Sequence, residues 1–146
     1  MSKSNSCETS LLLLLFNNTD FALIGDAAGL QNSATAGSLY LSLHTADPGE
    51  AGDQTTNEIA YTGYARKAVA RSGAGFTVSG NAVTLTADND FPKMTAGAGG
   101  TVTYFGVGTS SSGAGVLLYS GTTDPDILVS AGIIPRLEAA TSITED

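Results

Sequence analysis

The feature that most constrains this chain is a period of two. From Ser38 to His44 (SLYLSLH) the residues alternate strictly, with Leu39, Leu41 and Leu43 on one side and Tyr40, Ser42 and His44 on the other. Successive side chains of an extended strand point to opposite faces, so this run predicts a strand with one face buried and one face wet. Asp47-Pro48-Gly49 stops it. Proline presets φ for a turn and lacks an N–H donor, and glycine supplies the positive φ that often follows. A polar loop then runs to Asn57, and Ile59, Tyr61 and Tyr64 lead into a second strand from Arg66 to Arg71.

The same signal recurs downstream. Phe76 to Thr86 (FTVSGNAVTLT) predicts a hairpin closed by a two-residue primed turn at Gly80-Asn81, whose twist matches that of the strands. Ser79 then pairs with Ala82, Val78 with Val83 and Phe76 with Leu85, while Thr77 and Thr84 share the other face. Thr101 to Gly108 predicts a longer strand with Phe105 and Val107 on one face and Val102 and Tyr104 on the other. Gly106 and Gly108 imply a bulge or a close backbone approach there. Thr109 to Gly115 is a Ser/Gly-rich connection, and Val116 to Tyr119 returns as its partner strand. Asp124-Pro125-Asp126 predicts a further turn, with short strands at Ile127 to Val129 and Ile133 to Leu137. Pro135 cannot donate to a ladder, so that last strand lies at an edge or starts late. Leu137, Ala139, Thr141 and Ile143 keep the period of two towards the C-terminus. About eight short strands with turns roughly every 8–12 residues predict an all-β fold, a β-sandwich or jelly-roll-like domain.

Before residue 38 the pattern differs. Ser6 to Phe16 predicts about three turns of helix, since leucine is a good helix former and Ser4 or Ser6 can cap it. So short a helix is not stable alone, and its leucines must dock on something. Residues 25–37 (GDAAGLQNSATAG) read as an extended small-residue linker. The expected organisation is therefore an N-terminal helix and arm over 1–37 and a β-sandwich domain over 38–146. The helix either packs on its own domain or reaches a neighbouring subunit. In the second case Leu11, Leu14, Leu15, Phe16, Phe21, Leu23 and Ile24 are the apolar anchors.

Composition removes several function classes. Fourteen acidic residues against six basic ones give a net charge of −8, and the basic residues are scattered, which argues against a nucleic-acid partner. No stretch approaches the roughly 20 apolar residues that cross a bilayer, and Leu11 to Phe16 is too short for the apolar part of a signal peptide. No membrane partner is expected, and synthesis is expected in the cytoplasm. The single cysteine, Cys7, excludes an internal disulfide. Nucleophilic catalysis of the Ser-His or Cys-His kind needs an imidazole beside the nucleophile. The one histidine, His44, is expected at a wet strand end or in a subunit contact. Asp47, Glu50 and Asp53 share one loop and Asp88, Asn89 and Asp90 another. Such oxygen ligands suit calcium, but turn chemistry explains the same residues and neither loop has the twelve-residue ligand spacing. No enzyme, cofactor or metal site is expected.

The blocks LYLSLHTADPGEAG and GYAR, behind a Leu-rich N-terminal segment, are followed by TVTYFGVGTSSSGAGVLLYSG. Together, over roughly residues 10 to 130, they resemble a family of small tailed-phage virion proteins. Members carry names of tail fibre proteins, and similar small proteins serve as capsid decoration (cement) proteins. The resemblance implies a virion structural protein assembled in the bacterial host. The role it suggests first is decoration of the capsid exterior, binding where subunits of the major capsid protein meet. Symmetric placement on a shell makes a homo-oligomer, dimer or trimer, the expected state. His44, Asp47, Glu50, Arg66 and Arg71 join the apolar anchors as interface candidates, the two arginines as ion-pair partners across a contact. Arg66 can equally satisfy carbonyls at the start of its own strand. The alternative is a tail or tail-fibre-associated adhesion or structural module. Its binding loops would be expected to show exposed aromatics, and the loops here are Gly, Ser, Thr and Ala.

Overall fold

A computed structural model of the chain describes residues 2–145. Helix α1 (Asn5–Asn17) precedes strands β1 (Ser38–His44), β2 (Lys67–Ala70), β3 (Phe76–Ser79), β4 (Ala82–Leu85) and β5 (Asn89–Asp90). Strands β6 (Gly100–Gly108), β7 (Leu117–Val129), β8 (Arg136–Leu137) and β9 (Ser142–Thr144) complete the order. The strands form a four-stranded sheet β2-β1-β6-β7, a three-stranded sheet β3-β4-β9 and a two-stranded sheet β5-β8. The pairings β1–β6, β3–β4, β4–β9, β5–β8 and β6–β7 are all antiparallel. The fold is all-β with one short N-terminal helix, built of the antiparallel sheets a β-sandwich uses.

By internal packing the chain divides into two compact, interleaved units. One comprises the residues up to Ser38, Val69–Asp88 and those from Glu138 onward; the other comprises Leu39–Ala68 and Asn89–Leu137.

In the first unit the hairpin register is the predicted one, Phe76↔Leu85 through Ser79↔Ala82. Gly80 takes φ 61° at the first central position, the place where a II′ turn needs a glycine. Strand β9 adds to β4, pairing Ile143 with Val83. Helix α1 starts at Ser4, whose Oγ accepts from the Cys7 amide, and ends at Asn18 in the left-handed conformation. Its stripe Glu8, Leu12, Phe16 is buried at spacing i, i+4, i+8, and the helix packs on β3 and β4. Phe16 meets Phe76 edge to face at 5.0 Å, and both rings are fully buried. The short helix therefore finds its apolar partner within its own unit.

The expected extended linker is folded back on itself. Phe21 and Leu30 exchange both backbone hydrogen bonds, at 3.0 and 2.9 Å, and the Asp26 carboxylate accepts from the Ala28 and Gly29 amides. Short polar side chains that bond nearby amides favour a turn over an extended run.

The second unit is built on the β1–β6–β7 ladder. Leu41↔Val107 and Leu43↔Phe105 put four core residues opposite one another, and Leu39, Ile59, Tyr61, Phe91, Met94, Val102, Val129 and Leu137 are buried in the same unit. The turn predicted at Asp124-Pro125-Asp126 is instead an excursion within one long strand. Val102 pairs with Ile127 and Tyr104 with Thr122, so residues 123–126 stand opposite Thr103 alone. A proline tolerates such a place because the excursion asks for no ladder donor. Strand β8 starts only after Pro135, so Ile133 and Ile134 lie outside it and are exposed.

Candidate functional site

The residues that carry the sequence motifs come together in the second unit, around the end of β1. Segment 57–59 runs beside it, with the Thr45 amide donating to Asn57 O and the Ile59 amide to Leu43 O, both at 2.9 Å. This brings Glu58 to the GYAR block. Arg66 grips the Glu58 carboxylate with two parallel bonds, Nε to Oε1 at 2.7 Å and Nη2 to Oε2 at 2.8 Å. Tyr64 Oη donates to the same Oε1 at 2.8 Å and accepts from the Leu43 amide at 3.1 Å. Burial pushes the Tyr64 phenol well above its usual range, and the Glu58 partner raises the Arg66 guanidinium further. This is a bidentate, charge-assisted pair with a third donor on one oxygen.

Arg66 also reaches across to a distant loop. Its Nη1 donates to Ser110 O at 2.9 Å and its Nη2 to Gly113 O at 2.8 Å. Gln54, fully buried, holds the same loop as well: its side-chain Oε1 accepts from the Ser110 backbone amide at 2.9 Å, and its backbone N–H donates to Ala114 O at 3.0 Å. Gly108 is obligatory beside it, since an added Cβ would lie 2.6 Å from Gln54 Cγ. Gly106 is equally tight, with a Cβ there 2.6 Å from Ser42 Oγ. The close approach predicted for both glycines is thus made to side chains, and the ladder shifts register between Val107 and Gly108 as well.

His44 occupies a different place from the one expected. The face of β1 opposite the three leucines is not wet at this end: Ser42 and His44 are both 0% exposed. Both side chains fill the room left over the bare Gly106 of β6, Thr56 closes on His44, and only Ser38 keeps the solvent exposure that alternation predicts. Ser42 Oγ lies 2.8 Å from His44 Nε2, and His44 Nδ1 lies 2.8 Å from Thr56 O. A carbonyl only accepts, so Nδ1 carries the proton and Nε2 accepts from the Ser42 hydroxyl. Burial lowers the His44 pKa, which favours this neutral form. The pair has the atom types of a Ser-His dyad, but its second ring nitrogen is tied to a main-chain carbonyl and neither side chain reaches solvent. It latches β1 to the loop.

The acidic loop residues make turns. The Asp47 carboxylate accepts from the Gly49 amide at 2.8 Å, and Asp53 Oδ1 accepts from the Thr55 amide and hydroxyl at 2.8 and 2.6 Å. Among the described residues no group of three or more His, Cys, Asp or Glu is placed to hold a metal ion. Asp47 and Glu50 are exposed on the rim of a groove of about 500 Å³, lined also by Tyr104 and by Leu117 to Ser120.

Arg71 does its work in the first unit. Helix α1 has no basic residue in its last turn. Arg71 supplies the charge from outside: Nε donates to Leu15 O at 2.7 Å, Nη2 to Leu14 O, and Nη1 to Asn18 Oδ1 at 2.7 Å. Its Nη1 also reaches Ser33 Oγ and Ala36 O, so one guanidinium ties the helix end to the arm. Of the remaining candidates, Phe16 is in the core, and Leu11, Leu14, Leu15 and Phe21 are half-buried. Leu23 and Ile24 are exposed at the tip of the 21–30 loop. Glu58 and Gln54, central to the network, escaped the sequence reading. The available signal was a lone carboxylate beside an otherwise apolar run that also holds a lone arginine.

Fold and network define the class: an all-β module whose buried polar groups fix its own loops. A family model described as Podophage GP4 fiber I protein gp80 matches residues 2–143, and the chain belongs to that family. It is a structural protein of a phage virion. No curated protein gives a match.

Proposed function

We propose that this chain is a structural component of the fibre apparatus of a podophage, acting through its surface and without catalysis. The observation that carries the placement is the family description, which names a fibre protein and spans residues 2–143. The network is in keeping with a structural role. The one histidine is enclosed, and Arg66 and Arg71 hold carbonyls and a carboxylate of their own chain. Loop 109–115 is thereby braced by charge-assisted hydrogen bonds from Arg66, and loop 45–57 by neutral ones from His44 and to Ala114 O, which suits a part that must keep its shape under load.

Decoration of the capsid exterior, the role the motif blocks suggest first, differs from this in partner and in copy number. A decoration protein binds the major capsid protein and stabilises the assembled shell by mass action. Quantitative mass spectrometry of purified particles separates the two. A fibre component is present at a small fraction of the major capsid protein and is labelled by antibody at the tail. Copy numbers near those of the major capsid protein, with label over the shell, would overturn the fibre placement in favour of decoration.

A further inference from the structure

The groove of about 500 Å³ in the second unit has walls of opposite character. The 47–52 turn supplies the exposed carboxylates of Asp47 and Glu50, with the bare backbone of Gly49 and Gly52 beside them. Tyr104 of β6 and Leu117, Leu118 and Tyr119 of β7 supply half-buried phenol rings and aliphatic chains. These aromatics come from strands, not from the loops where recognition aromatics were expected. The charge is one-sided as well. Residues 45–65 and 94–135, which contain every residue lining the groove, hold no Lys, Arg or His.

We propose that this groove receives a basic segment of another protein, whose arginine or lysine head group meets Asp47 and Glu50 while its stem lies along Leu117 and Leu118. The walls select that chemistry. A purely apolar occupant would cover two carboxylates without pairing them, which is costly, and an anionic one would be repelled. Two carboxylates without a third ligand make no metal site. A long basic side chain answers both walls at once, because its methylene stem is apolar and its head is charged. Tyrosine rings add attraction for the cation, and a guanidinium matches carboxylates in one plane, so arginine fits better than lysine. A second copy of this chain is a poor source. Arg66 and Arg71 are bonded within their own chain, Arg136 to Asp90 and Lys3 to Glu145, and copies that each carry −8 repel. The inference rests on the surface-binding role proposed above and gives its partner a chemical class.

Amide NMR shifts of the isotope-labelled full chain, titrated with acetyl-Leu-Arg-Leu-Arg-amide, test it. The same peptide with citrulline for arginine is the uncharged control of nearly equal shape. Saturable shifts confined to residues 47–52, 104 and 117–120 are expected with the arginine peptide alone, weakening as NaCl is raised. Asp47→Asn combined with Glu50→Gln is expected to raise the Kd by about tenfold or more. The asparagine keeps an oxygen for the Gly49 amide, so the circular dichroism should not change. No saturable shift with the arginine peptide overturns the proposal. So does equal binding of the citrulline peptide, binding that the double variant leaves intact, or self-association without peptide that the double variant abolishes, which would seat a second copy in the groove. Copy number and antibody label read the placement on the particle separately, so the groove can fail while that placement stands.

Discussion

Replacing Arg66 by methionine tests whether the motif arginine is an internal brace. The Arg66 side chain is 3% exposed and that of Glu58 15%, so neither charge is well hydrated. The substitution removes both bonds to Glu58 and strands that carboxylate, and it also leaves Ser110 O and Gly113 O without their donor. Breaking a buried pair from one side costs about 3–5 kcal/mol, chiefly through the charge left behind. A loss of about 3–5 kcal/mol is then expected, a large share of the 5–15 kcal/mol typical of a whole domain. Arg66→Lys should fall between, because an ammonium keeps the charge but cannot bridge carboxylate and carbonyls in one plane. Arg66→Met combined with Glu58→Gln should recover part of the loss by removing the stranded charge. Urea unfolding followed by far-UV circular dichroism and tyrosine fluorescence gives the numbers, as the chain has five tyrosines and no tryptophan. A loss under about 1 kcal/mol, the range of a solvated surface pair, would refute the reasoning. A double variant as unstable as the single would refute the stranded-charge account.

Three further outcomes follow from the same structure. Arg71→Met should release the end of α1 from the arm, costing about 2–4 kcal/mol from lost charge-assisted bonds and speeding amide hydrogen exchange over residues 14–37 ahead of β6. Gly108→Ala should destabilise by about 1–3 kcal/mol or more, because the fully buried Gln54 side chain has no room to swing away from the new methyl; a lowered urea midpoint at unchanged slope is the check. The third concerns pH. His44 has a folded pKa below its unfolded value near 6.5, so the unfolded chain takes up a proton that the folded chain refuses. The stability it contributes is complete above about pH 6.5 and declines as pH falls towards the folded value, by at most about 1.4 kcal/mol per pH unit. Stability measured from pH 7.5 to 5 should show this slope in the parent chain and a shallower one in His44→Gln.

The local features of this fold were readable from the chain. Alternation at Leu39, Leu41 and Leu43 placed β1, and Gly80-Asn81 between matched apolar pairs fixed the β3–β4 register to the residue. Ser4 capped the helix as its side-chain chemistry predicts. Each of these is settled within a few residues by dihedral preference, side-chain period or a single capping bond. Sequence failed where the deciding neighbour was far away. His44 alternates like a surface residue, yet β6 and the loop around Thr56 cover it, and only those distant segments make its burial possible. Asp124-Pro125-Asp126 has the composition of a turn, but β6 pairs on both sides of it and keeps one strand continuous.

The site shows the same division. Its components are visible as the blocks LHTADPGE, GYAR and TSSSGAG, and the position of Arg66 at a strand start is compatible with an internal role. What no spacing revealed was that Glu58 and Gln54 join them, since Arg66 reaches its carbonyls 44 and 47 residues away. The sequence by itself determined strand β1, the β3–β4 hairpin with its turn and the helix cap, because backbone preference and side-chain period act over short range. Tertiary structure alone decided which polar groups were enclosed and paired. Burial depends on what the rest of the chain lays over a residue, and a buried charge takes whichever partner the completed fold brings within reach.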